Sequence, residues 1–371
     1  AYTLGCKVNQ YETEAVLEQF LSRGWQVVDF SEHADVYLIN TCTVTSLGDR
    51  KSRQMIRRAK HTNPNSALVV MGCYAQTAPD DVLAIREVDL VIGTDKRMLV
   101  ADLTEDFLSN RVRRSLVGDI ASIQEFEDLS ITHYENRTRA FMKVQEGCNQ
   151  FCSYCIIPYA RGRIRSRSLE SAANEARRLA SQGFREIVLV GIHLASYGRE
   201  NNKVTLLDLI RKIAEIDGIY RIRLGSLEPT LFTEEFTLAI ANIPKVCHHF
   251  HLSLQSGCDA TLLRMNRKYT TAQYAQIVER IRSRMPDAAI STDIMVGFPQ
   301  ESPEEFEKTC RFAEEIQLAD AHIFKYSVRK GTRAATMEGQ ISPQVKEERS
   351  RQLAEITART RKAFLHRFLG T

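Results

Sequence analysis

The sequence predicts an α/β protein in which an N-terminal doubly wound parallel sheet is followed by a partial (β/α)6 barrel. The first observation is that short β-rich runs alternate with helical stretches over roughly the first 105 residues. The second is that this alternation stops and then resumes at Phe141. The third is that the second part holds six strand candidates, fewer than the eight of a closed TIM barrel. A chain of 371 residues is also long for one core, which favours two domains.

The N-terminal strands are predicted from short apolar runs, and two helices from apolar residues at helical spacing. The strand candidates are Tyr2–Leu4, Val36–Ile39, Leu68–Met71 and Leu90–Ile92, and the helical stretches are Tyr11–Arg23 and Asp49–His61. We therefore predict a first domain over residues 1–105. Residues 106–136 have no clear period and are predicted to form a connector, with one strand pair at most.

The second predicted domain covers residues 137–366 and ends in a charged helix, Pro343–His366. Its strand candidates are Phe141–Gln145, Glu186–Val190, Ile222–Leu224, Phe250–Leu254, Ala289–Val296 and Ala321–Tyr326. Helical stretches such as Leu169–Gln182, Leu206–Ile216, Thr271–Ser283 and Pro303–Glu315 separate them. Folds of this kind place their chemistry on the loops at the C-terminal ends of the strands.

Composition excludes several classes of protein. No apolar run approaches the roughly 20 residues that span a bilayer, and no signal peptide is visible, so we expect a cytoplasmic protein without membrane contact. Nine cysteines in such a chain favour metal binding or catalysis over a disulfide framework. The net charge of +4 is too small to identify a partner by itself.

Cys148, Cys152 and Cys155 stand in the order C-x3-C-x2-C, directly after the first strand of the second domain. Thiolates are the usual ligands of iron–sulfur clusters, and three of them leave one iron of a 4Fe-4S cubane open. S-adenosylmethionine can chelate that iron and be cleaved to a radical. A zinc loop is less favoured because no second ligand pair follows at a suitable distance. The triplet thus predicts a radical-SAM enzyme.

Three further cysteines, Cys6, Cys42 and Cys73, each lie just past a predicted strand. Because the C-terminal ends of parallel strands share one edge, these cysteines are expected to converge despite their distance in sequence. A second three-thiolate cluster is one hypothesis. Three buried thiols that pack as small hydrophobic groups remain the alternative.

Six segments together resemble the methylthiotransferases over essentially the whole chain. They are TLGCKVNQYETE, NTCTVT followed by DRKSRQMIRRA, GCYAQ, EGCNQFCSYCIIPYARGRIRSR, HLSLQSGCDATLLRMNRKYT and DIMVGFPQE. The resemblance implies that the first three cysteines ligate an auxiliary 4Fe-4S cluster and the later triplet the radical-SAM cluster. It also implies that one S-adenosylmethionine methylates sulfur and a second generates the radical. The family usually continues into a TRAM module, which is not present in this chain.

The family has three branches, which act on isopentenyladenosine in tRNA, on threonylcarbamoyladenosine in tRNA, or on an aspartate of a ribosomal protein. The NTCTVT…KSRQ and GCYAQ segments are similar to the bacterial threonylcarbamoyladenosine enzymes. This implies methylthiolation of carbon 2 of the adenine at position 37 of tRNA. An electron donor such as a flavodoxin or ferredoxin is expected as a further partner. A non-catalytic electron carrier or a simple tRNA-binding module are the competing classes, and neither needs two three-thiolate sites.

Further site residues are predicted from their position at strand ends and, in part, from the resemblance. These candidates for S-adenosylmethionine binding are Tyr154, Gly191, His193, Ser226, Glu228, Gln255 and Asp293. The HHFH run at 248–251 suggests a metal site. However, His249 and His251 share a strand face with Ser253, so the run is expected to lead into the site. Cys247, Cys258 and Cys310 lack partners at useful spacing and are interpreted as buried or incidental.

Two basic segments are candidates for contact with tRNA phosphates, although a solvated helix face is the usual explanation of a charge run. The first, at 50–60, contains six basic residues and no acidic one, and the second has arginine at every second position. The predicted RNA-binding residues are Arg50, Lys51, Arg53, Arg57, Arg58, Arg161, Arg163, Arg165 and Arg167.

Overall fold

A computed structural model of the chain describes residues 1–131 and 138–370. The N-terminal part is a five-stranded parallel sheet whose strands follow one another in chain order. The strands are Tyr2–Thr3 (β1), Val36–Thr41 (β2), Ala67–Gly72 (β3), Leu90–Ile92 (β4) and Arg114–Leu116 (β5). The helices are Lys7–Leu21 (α1), Ser46–Thr62 (α2), Cys73–Thr77 (α3), Pro79–Leu83 (α4) and Val100–Asn110 (α5).

Helices cover both faces of this sheet, because successive side chains of each strand point to opposite sides. On one face, Met55 and Ile56 of α2 pack with Ile39 and Val70. On the other face, α1 and α5 pack with the alternate residues of the same strands, Leu38 and Val69 among them. The predicted doubly wound arrangement requires helices on both faces.

The predicted connector begins too early. The boundary at residue 105 falls inside α5, and β5 continues the parallel sheet beside β4. This short edge strand does not form an apolar run, because Arg111, Arg113 and Arg114 lie before it or within it. The end of the predicted connector at 136 and the predicted domain start at 137 lie outside the described residues.

The second part is a partial barrel made of two four-stranded sheets, in the orders β7-β6-β8-β9 and β10-β11-β12-β13. A parallel bridge between Ile222 and Val246 joins them. The strands are Ala140–Glu146 (β6), Arg165–Ser166 (β7), Glu186–Gly191 (β8), Arg221–Leu224 (β9), Ser226–Leu227 (β10), His249–Leu252 (β11), Ala289–Val296 (β12) and Asp320–Lys325 (β13). The helices are Ile157–Arg161 (α6), Leu169–Ser181 (α7), Leu206–Ala214 (α8), Glu234–Ala241 (α9), Asp259–Arg264 (α10), Thr271–Arg284 (α11), Pro303–Ile316 (α12) and Pro343–His366 (α13).

Six of these strands, β6, β8, β9, β11, β12 and β13, correspond to the six that the alternation predicts. Their outward residues form one large core with the surrounding helices, Met142, Ile187 and Phe250 among them. Tyr11 and Ala15 of α1 belong to the same core, so the two parts of the molecule pack directly on each other. None of the helices within the described residues is long and apolar enough to cross a membrane.

Candidate active site

Cys6, Cys42 and Cys73 lie together at the C-terminal edge of the first sheet, directly after β1, β2 and β3. A side chain at Gly5 would stand 3.2 Å from the Cys42 sulfur, so the turn before Cys6 lies against Cys42. At Gly72 the backbone has φ +99°, and a Cβ there would be 2.3 Å from the Asn40 amide oxygen. Only glycine fits this turn, which places Cys73 at the start of α3.

The thiols of this first set differ in their exposure to water: Cys73 is buried, Cys42 is half-buried and Cys6 is exposed. Burial raises the pKa of Cys73 to about 12 and also raises the pKa of Cys42. A nearby positive centre is needed to stabilise the thiolate form, which is the form that binds iron. Arg161 supplies one cation, since its Nε donates to the Cys73 sulfur at 3.1 Å.

Cys148, Cys152 and Cys155 lie on the loop between β6 and α6. Burial raises the pKa of Cys155 to about 12 and that of Cys148 to about 11. Arg267 donates to the Cys152 sulfur at 3.2 Å. Each set therefore has one guanidinium that donates to one of its sulfurs.

The chemistry of the donors in both sets fits iron–sulfur clusters. All six cysteines are free thiols, and in the described part of the chain no three His, Cys, Asp or Glu side chains are close enough to hold one ion. Three thiolates per site match a cubane with one open iron.

Glu228, His193 and Arg267 form a polar array beside the second set. Arg267 donates to the Glu228 carboxylate at 2.7 Å, and His193 Nε2 lies 3.6 Å from the same oxygen. Burial alone would raise the pKa of Glu228, but its bonds to His193 and Arg267 hold that pKa below the usual value. Sequence reasoning missed Arg267, although it stands in the quoted MNRKYT segment.

The other predicted strand-end residues surround the same region. Tyr154 packs edge-on to Phe298, with ring centroids 6.4 Å apart. Gly191 ends β8, and a Cβ there would be 2.8 Å from Gln145. Ser226 begins β10 and pairs with His251 of β11.

Two of the residues predicted to bind S-adenosylmethionine, Gln255 and Asp293, lie on β12 or beside it. Gln255 has φ +70°, and its backbone amide donates to the Asp293 carbonyl at 2.8 Å. The Asp293 carboxylate lies 3.2 Å from His251 Nε2. Both residues therefore lie near the C-terminal half of the strand.

The prediction that Arg161, Arg165 and Arg167 contact RNA is wrong. Their side chains are at most 2% exposed. Arg161 binds Glu12 and Asn9, and Arg167 forms an ion pair with Glu175. Arginines at every second position form one exposed row only if the segment is a surface strand. The segment 161–167 instead lies at the interface between the N-terminal sheet and the barrel.

The remaining basic candidates are accessible or nearly so. Arg50, Lys51, Arg57 and Arg58 are exposed on α2, and Arg163 is exposed beside the buried arginines. Arg53 is half-buried and donates to the Tyr74 hydroxyl at 3.2 Å.

Comparison with known proteins relates this arrangement to characterised enzymes. Residues 1–93 match Uncharacterized protein family UPF0004, and residues 142–313 match the Radical SAM superfamily. The chain is 41% identical to the threonylcarbamoyladenosine tRNA methylthiotransferase MtaB of Bacillus subtilis, over 99% of this chain and 82% of that protein. It is 36% identical to a tRNA-2-methylthio-N(6)-dimethylallyladenosine synthase of Methylacidiphilum infernorum, over 95% and 78%.

This chain belongs to the radical-SAM methylthiotransferase family. As a methylthiotransferase it uses S-adenosylmethionine and 4Fe-4S clusters, which confirms the predicted enzyme class and cofactors. Its fold is also that of a radical S-adenosylmethionine methyltransferase, TsrM of Kitasatospora setae. That likeness has a TM-score of 0.66 at 16% identity and covers 90% of this chain and 76% of the other. The predicted fold class of the methylthiotransferase is confirmed.

Proposed function

We propose that this methylthiotransferase acts on carbon 2 of N6-threonylcarbamoyladenosine at position 37 of tRNA. Relatives named for the threonylcarbamoyl substrate, at 41% and 40% identity, support this choice. The dimethylallyladenosine synthases, at 36% identity, make the prenylated nucleoside the second candidate. The difference in identity is small, so the substrate must be tested directly.

The observation that carries the reaction is the closeness of the two cysteine sets. Arg161 ends α6, the helix that follows Cys155, and its guanidinium donates to Cys73 of the other set. One short helix therefore joins the two sets. A nucleoside bound near this helix would be within reach of both cysteine sets.

In this proposal Cys6, Cys42 and Cys73 hold the auxiliary cluster, and Cys148, Cys152 and Cys155 hold the radical-SAM cluster. When bound, the clusters and S-adenosylmethionine supply a methylated sulfur and the radical that removes the hydrogen from carbon 2. The chain's own contribution is to hold the thiols in place and to bury Cys73 and Cys148 away from water. Arg161 and Arg267 add a positive charge and a hydrogen bond to one sulfur of each set.

The polar array beside the second set is proposed to bind S-adenosylmethionine. The low pKa of Glu228 keeps it ionised, which suits the ammonium group or the ribose hydroxyls of the cofactor. Tyr154 offers an apolar ring edge for the adenine. Gly191, His193, Ser226, Gln255 and Asp293 complete the predicted set.

The exposed cations of α2 and Arg163 are proposed to bind the phosphates of tRNA. The electron donor, such as a flavodoxin or ferredoxin, stays a prediction. The same holds for the division of the chain into an auxiliary-cluster domain and a radical-SAM domain.

Nucleoside mass spectrometry of tRNA tests the substrate. Cells without this gene should lose the methylthio form of threonylcarbamoyladenosine and regain it when the gene is restored. Loss of the methylthio form of the prenylated nucleoside would favour the second candidate. Intact tRNA together with an unmodified ribosomal-protein aspartate would overturn both.

The division of labour between the two cysteine sets predicts the behaviour of Cys42→Ala. Methylthiolation of tRNA should fall below detection, because one ligand of the auxiliary site is lost, while cleavage of S-adenosylmethionine continues. Both products can be followed by mass spectrometry on the anaerobically reconstituted enzyme. Cys247→Ala, outside both sets, should keep both activities. Loss of cleavage in Cys42→Ala, with the other site fully loaded with iron, would contradict separate roles.

A further inference from the structure

The interior face of the partial barrel carries basic side chains that the proposed chemistry does not use. Along β11, Phe250 and Leu252 enter the main core, so His249 and His251 point to the opposite, interior side. On β9, Ile222 and Leu224 enter the same core, so Arg223 also faces the interior. The strands β9 and β11 thus carry basic side chains inside the barrel.

The first domain adds a further cation to this face. Val8 of α1 packs against Phe141, Val188 and Val190, which are interior residues of β6 and β8. The neighbouring Lys7 Nζ lies 5.9 Å from the centre of the Phe141 ring. Because Lys7 directly follows Cys6, this cationic face adjoins the first cysteine set.

Two of the basic side chains on this face have acidic partners, and in the described part of the chain Lys7 does not. Glu186 pairs with Arg223 at 2.8 Å, and Asp293 pairs with His251 at 3.2 Å. Lys7 is exposed and has no acidic partner among residues 1–131 and 138–370.

His249 is also left without a partner on this face. Its buried Nδ1 lacks a hydrogen-bond partner within the described structure. Burial lowers the pKa of His249, and the nearby charges of Arg223, His251 and Lys7 lower it further. A buried polar atom without a partner is costly unless a ligand satisfies it.

We propose that Lys7, Arg223 and His249 form an anion subsite for the carboxylate of the threonylcarbamoyl group. The inference rests on the proposed function and deepens it. The N6 substituent of threonylcarbamoyladenosine ends in a carboxylate, which matches the Lys7 ammonium group and the unsatisfied Nδ1 of His249. Arg223 adds positive charge to the subsite although it is paired with Glu186. A dimethylallyl group in the same place would leave these groups desolvated and unpaired, so the subsite selects against it.

The test compares two anticodon stem-loops with the reconstituted holoenzyme. One carries the threonylcarbamoyl group, and in the other a carboxamide replaces its carboxylate. For the wild type, we expect the carboxamide to weaken binding and kcat/KM roughly 10- to 100-fold, the size of a charge-assisted hydrogen bond. In Lys7→Gln and Arg223→Gln, the kcat/KM values for the two stem-loops should differ by less than about threefold.

Two variants are needed because Arg223→Gln also frees Glu186 and could disturb folding. Lys7→Gln removes no ion pair within the described structure, and its iron content checks the neighbouring Cys6. Arg178→Gln, which removes a positive charge from the exposed side of α7, should keep the full wild-type discrimination.

The outcomes separate this inference from the proposed function. If the wild type methylthiolates the threonylcarbamoyl stem-loop but both variants still discriminate like the wild type, the subsite is wrong and the function stands. If the wild type does not modify that stem-loop and modifies a prenylated one, the proposed function is wrong and the subsite with it.

Discussion

At the residue scale, the guanidinium of Arg161 binds four different side chains, one of which is the Glu146 carboxylate at 3.2 Å. It donates to the Asn9 amide oxygen at 2.6 Å, to the Glu12 carboxylate and to the Cys73 sulfur. The planar fork of arginine can make all of these bonds at once, and lysine cannot. Arg161 therefore joins the radical-SAM part to the N-terminal sheet.

Arg161 and Arg163 form a matched pair, one buried and one exposed. Arg161→Gln should lower the free energy of unfolding by about 3 kcal/mol, because it removes one of the cations that neutralise the buried carboxylates of Glu12 and Glu146. Arg163→Gln should change stability by less than about 0.5 kcal/mol and instead weaken tRNA binding. Urea denaturation and fluorescence anisotropy measure the two effects. Equal stability of the two variants would contradict the structural role of Arg161.

Glu12 predicts how stability depends on pH. Burial alone would raise its pKa, but the three cations around it lower the pKa to about 2, from an ordinary value of 4.5. The unfolded chain therefore binds a proton at a higher pH than the native protein does. The stability from Glu12, about 3 kcal/mol, is complete above about pH 4.5 and is lost as the pH falls towards 2.

Urea denaturation between pH 3 and 7 measures this dependence. Glu12→Gln should flatten the acid limb of the stability curve. Leu209→Ala, a truncation in the core of the barrel, should lower stability by a similar amount at every pH and serves as the control. If the acid limb of the stability curve is unchanged in Glu12→Gln, the loss of stability at low pH comes from other carboxylates.

At the element scale, α2 is amphipathic, with one buried and one cationic face. Met55, Ile56 and Ala59 pack on the sheet, while Arg57 and Arg58 are exposed. Thr45 caps the helix by accepting from the Gly48 amide at 3.2 Å, so the helix begins soon after Cys42. The cations are therefore held on a rigid element next to the first cysteine set.

This arrangement predicts a salt-dependent role for α2. Replacing both Arg57 and Arg58 with Gln should weaken tRNA binding and reduce the slope of log K against log salt by about one for each lost phosphate contact. Binding titrations at several salt concentrations measure the slope. Arg178→Gln on the outer helix α7 is the control. An unchanged slope in the double variant would show that α2 is only a solvated face.

At the scale of the whole molecule, the loop after the last barrel strand contacts residues 43–49, which directly follow Cys42. Arg329, in the loop after β13, forms an ion pair with Asp49 at 2.7 Å and a hydrogen bond with Thr43. Ser327 in the same loop accepts from the Ser46 amide at 3.1 Å. The end of the barrel therefore positions the start of α2 and, through it, the cysteine before it.

A double-mutant cycle on Asp49 and Arg329 measures this connection. Both side chains are less than 15% exposed, so we expect a coupling free energy of about 1 to 2 kcal/mol. Asp49→Asn and Arg329→Gln, alone and together, can be compared by urea denaturation. Iron content of the single variants reports whether Cys42 has moved. Additive effects would mean that the two segments are not coupled.

Much of the fold was predictable because it depends on local patterns. The strand–helix alternation predicted all six main barrel strands, and cysteines after three strands predicted the first set. The edge strand at Arg114–Leu116 was missed because it is short and carries charge. Its identity depends on pairing with β4, a contact that no local pattern encodes.

The sequence by itself determined the α/β class, the two sets of cysteines and the chemistry that thiolates of that spacing support. These features follow from periodicity and from the covalent order of the chain. Only the tertiary structure decided that Arg161, Arg165 and Arg167 are buried, that Arg267 joins Glu228 to Cys152, and that Lys7 lies over the Phe141 ring of the barrel. Burial and charge pairing depend on which distant segments meet in the fold. What a side chain can bind therefore depends on its environment more than on its residue type.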